Sequence, residues 1–199
     1  MLVTAIRSKP VYATLEPDLS GTFHLLVGQG SGGDALLRLL EKMPRGADAQ
    51  VLYAAESRSG VDRSEPLSAF GAVQCRIFPS MAEVVACLDQ VLSTCFMGTR
   101  LYVAGSESFI GSVGQVAARY NLTGDEAQSE RCGSAARRVY CIHCKTSQEN
   151  VTTNVVRCAG CERHLLVRDH YSRRLAAYMG VMADAASPGT LPPVEERLA

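Results

Sequence analysis

Apolar runs of four to six residues alternate with stretches of helical periodicity along residues 22–128. Strands are predicted at four places, 23–27, 51–55, 73–78 and 101–104, and the first of them is predicted to be buried. Helices are predicted where apolar residues recur every three or four positions: 34–42, 81–94 and the stretch after Ser106. Asp34 is expected to cap the first helix. Strands alternating with helices predict an α/β fold with a parallel sheet covered on both faces.

The pattern changes after residue 136, where short apolar runs flank two pairs of cysteines. The pairs are Cys141, Cys144 and Cys158, Cys161, in a C-x2-C-x13-C-x2-C spacing. Each pair can present two sulfurs to one ion, while the intervening residues return as a hairpin. The spacing predicts a small zinc ribbon. A C-terminal helix is predicted to follow it, from Ser172 to Met182.

Three interpretations of the four cysteines are open. A closed set of four thiolates favours a structural Zn²⁺ ion. A rubredoxin-like single iron uses the same two pairs, although few aromatic residues surround them to exclude water, and two disulfides are disfavoured in a reducing compartment. The other cysteines are expected to be small buried hydrophobic residues: Cys75, Cys87, Cys95 and Cys132. Three nearby histidines are expected to face solvent or surround the site without binding the ion: His143, His164 and His170.

Composition adds limits to this picture. The 199 residues contain 20 basic and 20 acidic residues and are 47% hydrophobic, which excludes a disordered chain and gives no overall attraction to nucleic acid or membrane. No apolar run approaches the roughly 18 residues of a membrane span, and no signal peptide is visible, so a cytoplasmic protein is expected. Charge is uneven, however. Residues 137–174 carry an excess of five basic residues, suited to phosphate, to an acidic protein surface or simply to solvent.

A glycine-rich loop joins the first predicted strand to the first helix. Its Gly28-x-Gly30-x-x-Gly33 pattern lies where a pyrophosphate can bind to backbone N–H groups, and Glu56 ends the next strand, where an acid can hold a ribose. Asp34 weakens this interpretation, because its carboxylate would compete for the same N–H groups. A turn rich in glycine for packing alone is the alternative.

Residues 23–133 resemble the pyridine-nucleotide half of ferredoxin reductase-type flavoenzymes, especially the phthalate dioxygenase reductase branch. The similar motifs are LLVGQGSGG at 25–33, YAAESR at 53–58, LYVAGS at 101–106 and SERCG at 129–133. Ser106 and Ala104 depart from the proline and cysteine of that family. The resemblance implies an NAD(P)H site, or a vestige of one, formed by Gly28, Gly30, Ser31, Gly32, Arg58, Gly105, Ser106 and Glu130. Only about 20 residues precede the first strand, too few for that family's flavin barrel.

The C-terminal region resembles a second family. The motifs around the four cysteines and the run His170-x-Ser172-Arg173-Arg174-x3-Tyr178-x-Gly180 are similar to the C-terminal domain of the A-type subunit of dimethylamine monooxygenase, over residues 137–184. This family implies a haem-dependent, NAD(P)H-driven complex that oxidatively demethylates a secondary amine. Separate subunits would carry the haem and the flavin and iron–sulfur cluster.

Four segments are therefore predicted: an N-terminal extension (1–21), a reductase-type nucleotide-binding-like domain (22–136), a four-cysteine domain with its trailing helix (137–184) and a flexible tail (185–199). The leading hypothesis is an accessory subunit with a structural zinc site and no catalytic residue of its own, inactive in isolation. His170, Ser172, Arg173 and Arg174 would contact the haem-bearing oxygenase subunit or the flavin/iron–sulfur reductase subunit.

Two alternatives are kept. In the first, the chain binds NAD(P)H and delivers hydride to a flavin on a partner chain. In the second, the zinc ribbon binds nucleic acid, for which Tyr171 and Tyr178 are the candidate stacking residues.

Overall fold

The computed structural model describes residues 8–55, 60–71, 73–122 and 124–196. The chain divides into two compact units. The first runs from Tyr12 to Gly133, and the second comprises the residues from Ser134 onward together with those up to Val11. Within the described residues, no helix combines the length and the apolar character needed to cross a bilayer.

The first unit is a parallel α/β sheet, as predicted. Its elements are β1 (Phe23–Gln29), α1 (Gly32–Lys42), β2 (Ala49–Ala54), α2 (Ser64–Ala69), β3 (Gln74–Phe78), α3 (Met81–Leu92), β4 (Thr99–Gly105), α4 (Glu107–Arg119) and β5 (Ala127–Arg131). All neighbouring strands are parallel, in the order β3-β2-β1-β4-β5. The order reverses between β1 and β4, so the carboxyl ends of these two strands flank the crevice where sheets of this kind bind ligands.

Apolar clusters cover both faces of this sheet. Successive residues of β1 belong to different clusters, because successive side chains of a strand point to opposite faces of the sheet. Leu25 and Val27 pack with residues of α3 and α4, whereas Leu26 packs with residues of α1. Ser80 and Ser106 cap α3 and α4, each accepting a hydrogen bond from the backbone N–H three residues later.

The segment before β1 belongs to this unit rather than forming a separate extension. Leu15 is completely buried in the cluster around α1. The backbone N–H of Asp18 donates to the Tyr102 hydroxyl at 3.0 Å, and the Tyr12 hydroxyl donates to Glu107 at 3.0 Å. The segment thus covers part of the sheet beside α1, and the unit begins ten residues before the boundary expected from the hydrophobic pattern.

The second unit, called here the four-cysteine module, is a five-stranded sheet. Its strands are β6 (Arg137–Cys141), β7 (Ser147–Val151), β8 (Val155–Arg157), β9 (His164–Ser172) and β10 (Ala177–Met182), in the order β7-β6-β10-β9-β8. The antiparallel pairs β6–β7 and β8–β9 each enclose one cysteine pair, and β10 joins the two hairpins, parallel to β6 and antiparallel to β9.

The predicted helix from Ser172 to Met182 is wrong. A tight turn follows Ser172, with Ala176 in the left-handed region at φ 48°, and β10 then pairs on both sides. The apolar residues of this segment are compatible with a helix, but the neighbouring strands supply hydrogen bonds that select the extended form.

The end of the chain also differs from the expected flexible tail. Asn154 donates to the carbonyl of Pro193 at 3.0 Å, and the backbone N–H of Glu195 donates to the Asn154 side chain at 2.7 Å. The backbone N–H of Asn154 donates to the carbonyl of Glu195 at 3.1 Å. Residues 193–195 are therefore attached to the module.

Candidate metal centre and glycine loop

The four cysteine sulfurs converge on one point in the module. The four sulfur atoms lie within 4.8 Å of one another. The sulfur atoms of Cys141 and Cys161 are 3.8 Å apart, and those of Cys144 and Cys158 are 3.5 Å apart. Sulfurs bound tetrahedrally at about 2.3 Å from Zn²⁺ are separated by about 3.8 Å, whereas a disulfide requires about 2 Å. The donor set therefore fits a tetrahedral thiolate-bound ion and not two disulfides.

The two cysteine pairs are held by the same hydrogen-bonding pattern. The backbone N–H of Cys141 donates to the carbonyl of Thr146, and that of Lys145 donates back to Cys141, both at 2.9 Å. In the second pair, the backbone N–H of Cys158 donates to the carbonyl of Arg163 at 2.9 Å, and that of Glu162 donates to the carbonyl of Cys158 at 3.0 Å.

The backbone conformation repeats as well. Lys145 and Glu162 occupy equivalent positions, one residue after the second cysteine, and both adopt positive φ, 69° and 62°. The two turns are thus equivalent, and each presents two sulfurs in the same way.

Residues beside the cysteines pack closely against the sulfurs and hydrogen bond to them. A side-chain carbon on Gly160 would lie 2.2 Å from Oγ1 of Thr146 and 3.1 Å from the Cys144 sulfur, so this position has no room for a side chain. Hydrogen bonds from Thr146 lower the pKa of the Cys144 thiol to about 6, whereas burial raises the pKa of Cys141. The sequence did not lead us to expect Thr146 and Gly160 at this site. The repetition of the cysteine turn is the feature that points to Thr146, and the Cys-Ala-Gly-Cys spacing is the feature that points to Gly160.

The three nearby histidines are exposed, as expected: His143, His164 and His170. Nδ1 of His143 lies 3.0 Å from the guanidinium of Arg163. The remaining cysteines are unbridged and wholly or partly buried: Cys75, Cys87, Cys95 and Cys132. Burial raises the pKa of each of their thiols, which disfavours the reactive thiolate.

The glycine loop lies at the carboxyl edge of the first unit's sheet. Gly28 is in β1, Gly30 turns with φ 51°, Ser31 precedes α1, and Gly32 is its first residue. The strand β4 ends nearby at Gly105, and Ser106 donates from its hydroxyl to Gln29 at 2.9 Å. The structure therefore brings these candidate residues to one edge of the sheet.

Close packing explains two of these glycines. A side-chain carbon on Gly32 would lie 2.1 Å from the carbonyl oxygen of Ala104, and one on Gly28 would lie 2.7 Å from the Leu36 side chain. The Tyr53 hydroxyl donates to the carbonyl of Gly30 at 2.7 Å and fixes the turn. The loop is thus shaped by contacts within the unit.

Two acidic residues at this edge are bound to arginines of the same unit. Both carboxylate oxygens of Glu130 accept from Arg38, at 2.6 and 2.7 Å, and one also accepts from the backbone N–H of Leu15 at 2.8 Å. Asp34 does not cap α1 as predicted; it lies in the first turn and binds the guanidinium of Arg63 through both oxygens, at 2.6 and 3.2 Å. Neither arginine was anticipated from the sequence.

Two further candidates, Arg58 and Glu56, lie outside the described residues. The candidate partner-contact residues lie at the end of β9 and in the turn that follows. His170, Arg173 and Arg174 are exposed, and the Ser172 hydroxyl accepts from the backbone N–H of Leu175 at 3.3 Å. These residues therefore lie at the end of a strand and in the turn that follows it rather than on one face of a helix.

Two family models match the chain. The one described as "Dimethylamine monooxygenase subunit DmmA-like, N-terminal domain" matches residues 4–127, and the corresponding C-terminal domain matches residues 138–181. A curated relative, the "Heme-dependent oxidative N-demethylase delta subunit" of Ectopseudomonas mendocina (strain ymp), is 36% identical over 111 residues. That match covers 56% of this chain and 63% of the relative, less than two thirds of its length.

Solved structures are similar at lower identity. An intact type IV self-sufficient cytochrome P450 monooxygenase matches with a TM-score of 0.45 and 18% identity, over 67% of this chain and 19% of that one. Phthalate dioxygenase reductase matches with a TM-score of 0.45 and 15% identity, over 72% of this chain and 46% of that one.

Proposed function

Because the chain belongs to the dimethylamine monooxygenase subunit DmmA-like family, we propose that it is an accessory subunit of a multisubunit haem-dependent, NAD(P)H-driven dimethylamine monooxygenase. Its role would be assembly, with a structural Zn²⁺ ion in the four-cysteine module and no catalytic residue on this chain. The haem would be carried by an oxygenase subunit, and the flavin and iron–sulfur cluster by a reductase subunit.

The convergence of the four cysteine sulfurs carries this proposal. Cys141, Cys144, Cys158 and Cys161 would hold the ion, and the ion would supply folding energy and a fixed geometry for the two hairpins. Four thiolates complete a tetrahedral coordination, so the site offers no open position for a substrate. Cys141 and Cys158 are buried in the module's apolar cluster, which makes the metal centre part of the core.

The contacts around the glycine loop favour a role for the loop in packing and disfavour a role in nucleotide binding. The Glu130 carboxylate is already engaged by Arg38 and Leu15, and the Asp34 carboxylate would oppose a phosphate at the first turn of α1. The described residues of this loop and its surroundings therefore fit a dinucleotide poorly, and no step of the reaction is assigned to this loop.

The nucleic-acid alternative is disfavoured by the two tyrosines expected to stack on bases. Tyr171 and Tyr178 are 8% and 2% exposed, and they pack edge to face with ring centres 5.1 Å apart. Buried rings cannot serve as a stacking platform.

Metal analysis and reconstitution test the proposal together. The purified chain should contain one zinc ion and no visible absorbance, whereas ferric–thiolate absorbance would replace the zinc assignment with a single iron. Dimethylamine demethylation should require the haem-bearing subunit, the reductase subunit and this chain, measured by formaldehyde release. Turnover by this chain alone would overturn the accessory role. Heat released on titration with NADPH at on the order of 1 mM would instead favour the electron-transfer alternative.

A further inference from the structure

The strand β9 contains a bulge with two extra residues, in the part of the strand that follows Val167. Val167 is paired with Gly180 of β10, and Tyr171 is paired with Tyr178. Between these pairs, residues 168–170 of β9 oppose only Met179 of β10. Bulges of this kind redirect side chains and interrupt a ladder of hydrogen bonds. We call residues 168–170 the cationic bulge, after the exposed guanidinium of Arg168; the His170 side chain is exposed as well.

Contacts of Asp169 attach the cationic bulge to the rest of the module. Asp169 accepts from the guanidinium of Arg137 at 3.0 Å, and Arg137 in turn lies over the Tyr178 ring, 4.2 Å from its centre. Such a contact combines a salt bridge with a cation–π interaction. The side chain between the two exposed residues of the bulge is therefore tied to the core of the module.

A second cationic element follows directly. The turn after Ser172 exposes Arg173 and Arg174 and is closed by hydrogen bonds from the backbone N–H groups of Leu175 and Ala176, both at 3.3 Å. The bulge and the turn together place several basic side chains within seven residues on a constrained backbone. A preorganised surface loses less conformational entropy when it binds than a mobile one does.

The acidic residues within 137–174 form salt bridges with arginines outside the bulge and the turn. Each of the three acidic residues within 137–174 forms a salt bridge with an arginine of β6 or β8: Asp169 with Arg137, Glu149 with Arg138, and Glu162 with Arg157. The net positive charge of this stretch is therefore carried by other basic residues, and Arg168 and Arg173 are among them. Carboxylates supplied by another molecule would complement this surface.

We propose that the cationic bulge and the adjoining turn dock an Asp- and Glu-rich surface of another protein subunit, with Arg168, His170 and Arg173 at the contact. The inference rests on the proposed function, because it assumes that the chain assembles with other subunits. Arg168 extends the set of contact residues predicted from sequence. A protein surface is favoured over nucleic acid because the tyrosines of this segment are buried and cannot stack on bases.

A charge-reversal comparison tests the docking surface. Binding of the full-length chain to the purified haem-bearing and reductase subunits is measured by biolayer interferometry at low and high salt. The double variant R168E/R173E should bind about tenfold more weakly or worse, because like charges would then face each other. The variant R45E/R131E, which reverses two exposed arginines of the first unit, changes net charge equally and should bind as the wild type does. The variant R168K/R173K keeps the charge and should retain most of the binding.

The outcomes separate the inference from the proposed function. Zinc content and hydrogen exchange first establish that each variant is folded. If the wild type binds a subunit and R168E/R173E binds equally well, or R45E/R131E loses as much, the docking surface is wrong while the accessory role stands. If the wild type binds neither subunit, both fall. If mixed-sequence duplex DNA or single-stranded RNA binds more tightly than the subunits, and R168E/R173E abolishes that binding, the partner is nucleic acid and the inference is overturned.

Discussion

The two units of this protein differ in the extent of the apolar core that they bury. The α/β unit buries apolar clusters on both faces of its sheet, including the rings of Tyr53, Tyr102 and Phe109. Among the described residues of the four-cysteine module, eight form a buried cluster; two of them are candidate metal ligands, and the other two ligands pack against it. A domain this small rarely stabilises itself through its apolar core alone, and a metal ion is one common supplement.

The two units also contain two different kinds of conspicuous sequence motif. In the α/β unit, the glycine motif has the spacing of a ligand site, yet Gly28 and Gly32 are explained by close contacts with Leu36 and Ala104. In the module, the cysteine motif has the geometry of a metal site and is at the same time the centre of the fold. A motif's spacing therefore indicates which chemistry is compatible with it, while the surrounding contacts indicate its role.

The largest expected effect is the loss of the metal from the module. The substitution Cys158→Ser should abolish metal binding and unfold residues 137–182, because structural zinc supplies on the order of 10 kcal/mol to modules of this kind. Metal analysis and hydrogen exchange resolved by segment measure this, and the sheet of the α/β unit should keep its protection. The matched control is Cys95→Ser, which changes a cysteine outside the metal centre. Retained metal with a protected module would contradict the comparison.

An intermediate effect is expected from the segment before β1. The substitution Leu15→Ala should lower the free energy of unfolding of the α/β unit by about 2–5 kcal/mol, because it leaves a cavity in the cluster around α1. Leu19→Ala is the control: Leu19 is 69% exposed, so the change should stay within about 0.5 kcal/mol. Denaturant titration measures both. Equal, small effects would show that the segment is not part of this core.

The smallest effect concerns pH. Hydrogen bonds from Ser20 and the guanidinium of Arg100 lower the pKa of Asp18 to about 2, from its ordinary value of 3.8. A lowered folded-state pKa means that the stabilisation is present above the unfolded-state pKa and is lost as the pH falls through about 2.

The Asp18→Asn variant tests this sign. It should have a slightly lower denaturation midpoint at pH 7, and its difference from the wild type should shrink between pH values of about 5 and 2. The exposed change Asp125→Asn is the control and should not reproduce this pH dependence. A difference that grows on acidification would reverse the assigned role of the ion pair.

Much of the α/β unit was predictable because its information is local. The central strands β1, β2 and β4 each contain an apolar run, and Ser80 and Ser106 mark helix starts by their own hydrogen bonds. Leu15 could not be assigned in this way, because a single leucine in a polar segment has no periodicity. Its burial depends on α1 and β4, which are distant in sequence.

The candidate site shows the same division. The spacing of the cysteines by itself determined that four sulfurs could meet, since two residues between each pair suit one turn around an ion. Tertiary structure decided that residues 177–182 form a strand, because β6 and β9 supply its hydrogen bonds. It also decided that Glu130 binds Arg38 and that Arg168 is displayed on a bulge. The Arg38–Glu130 ion pair and the pairing of β10 with β6 join residues that are distant along the chain, which local residue preferences do not encode.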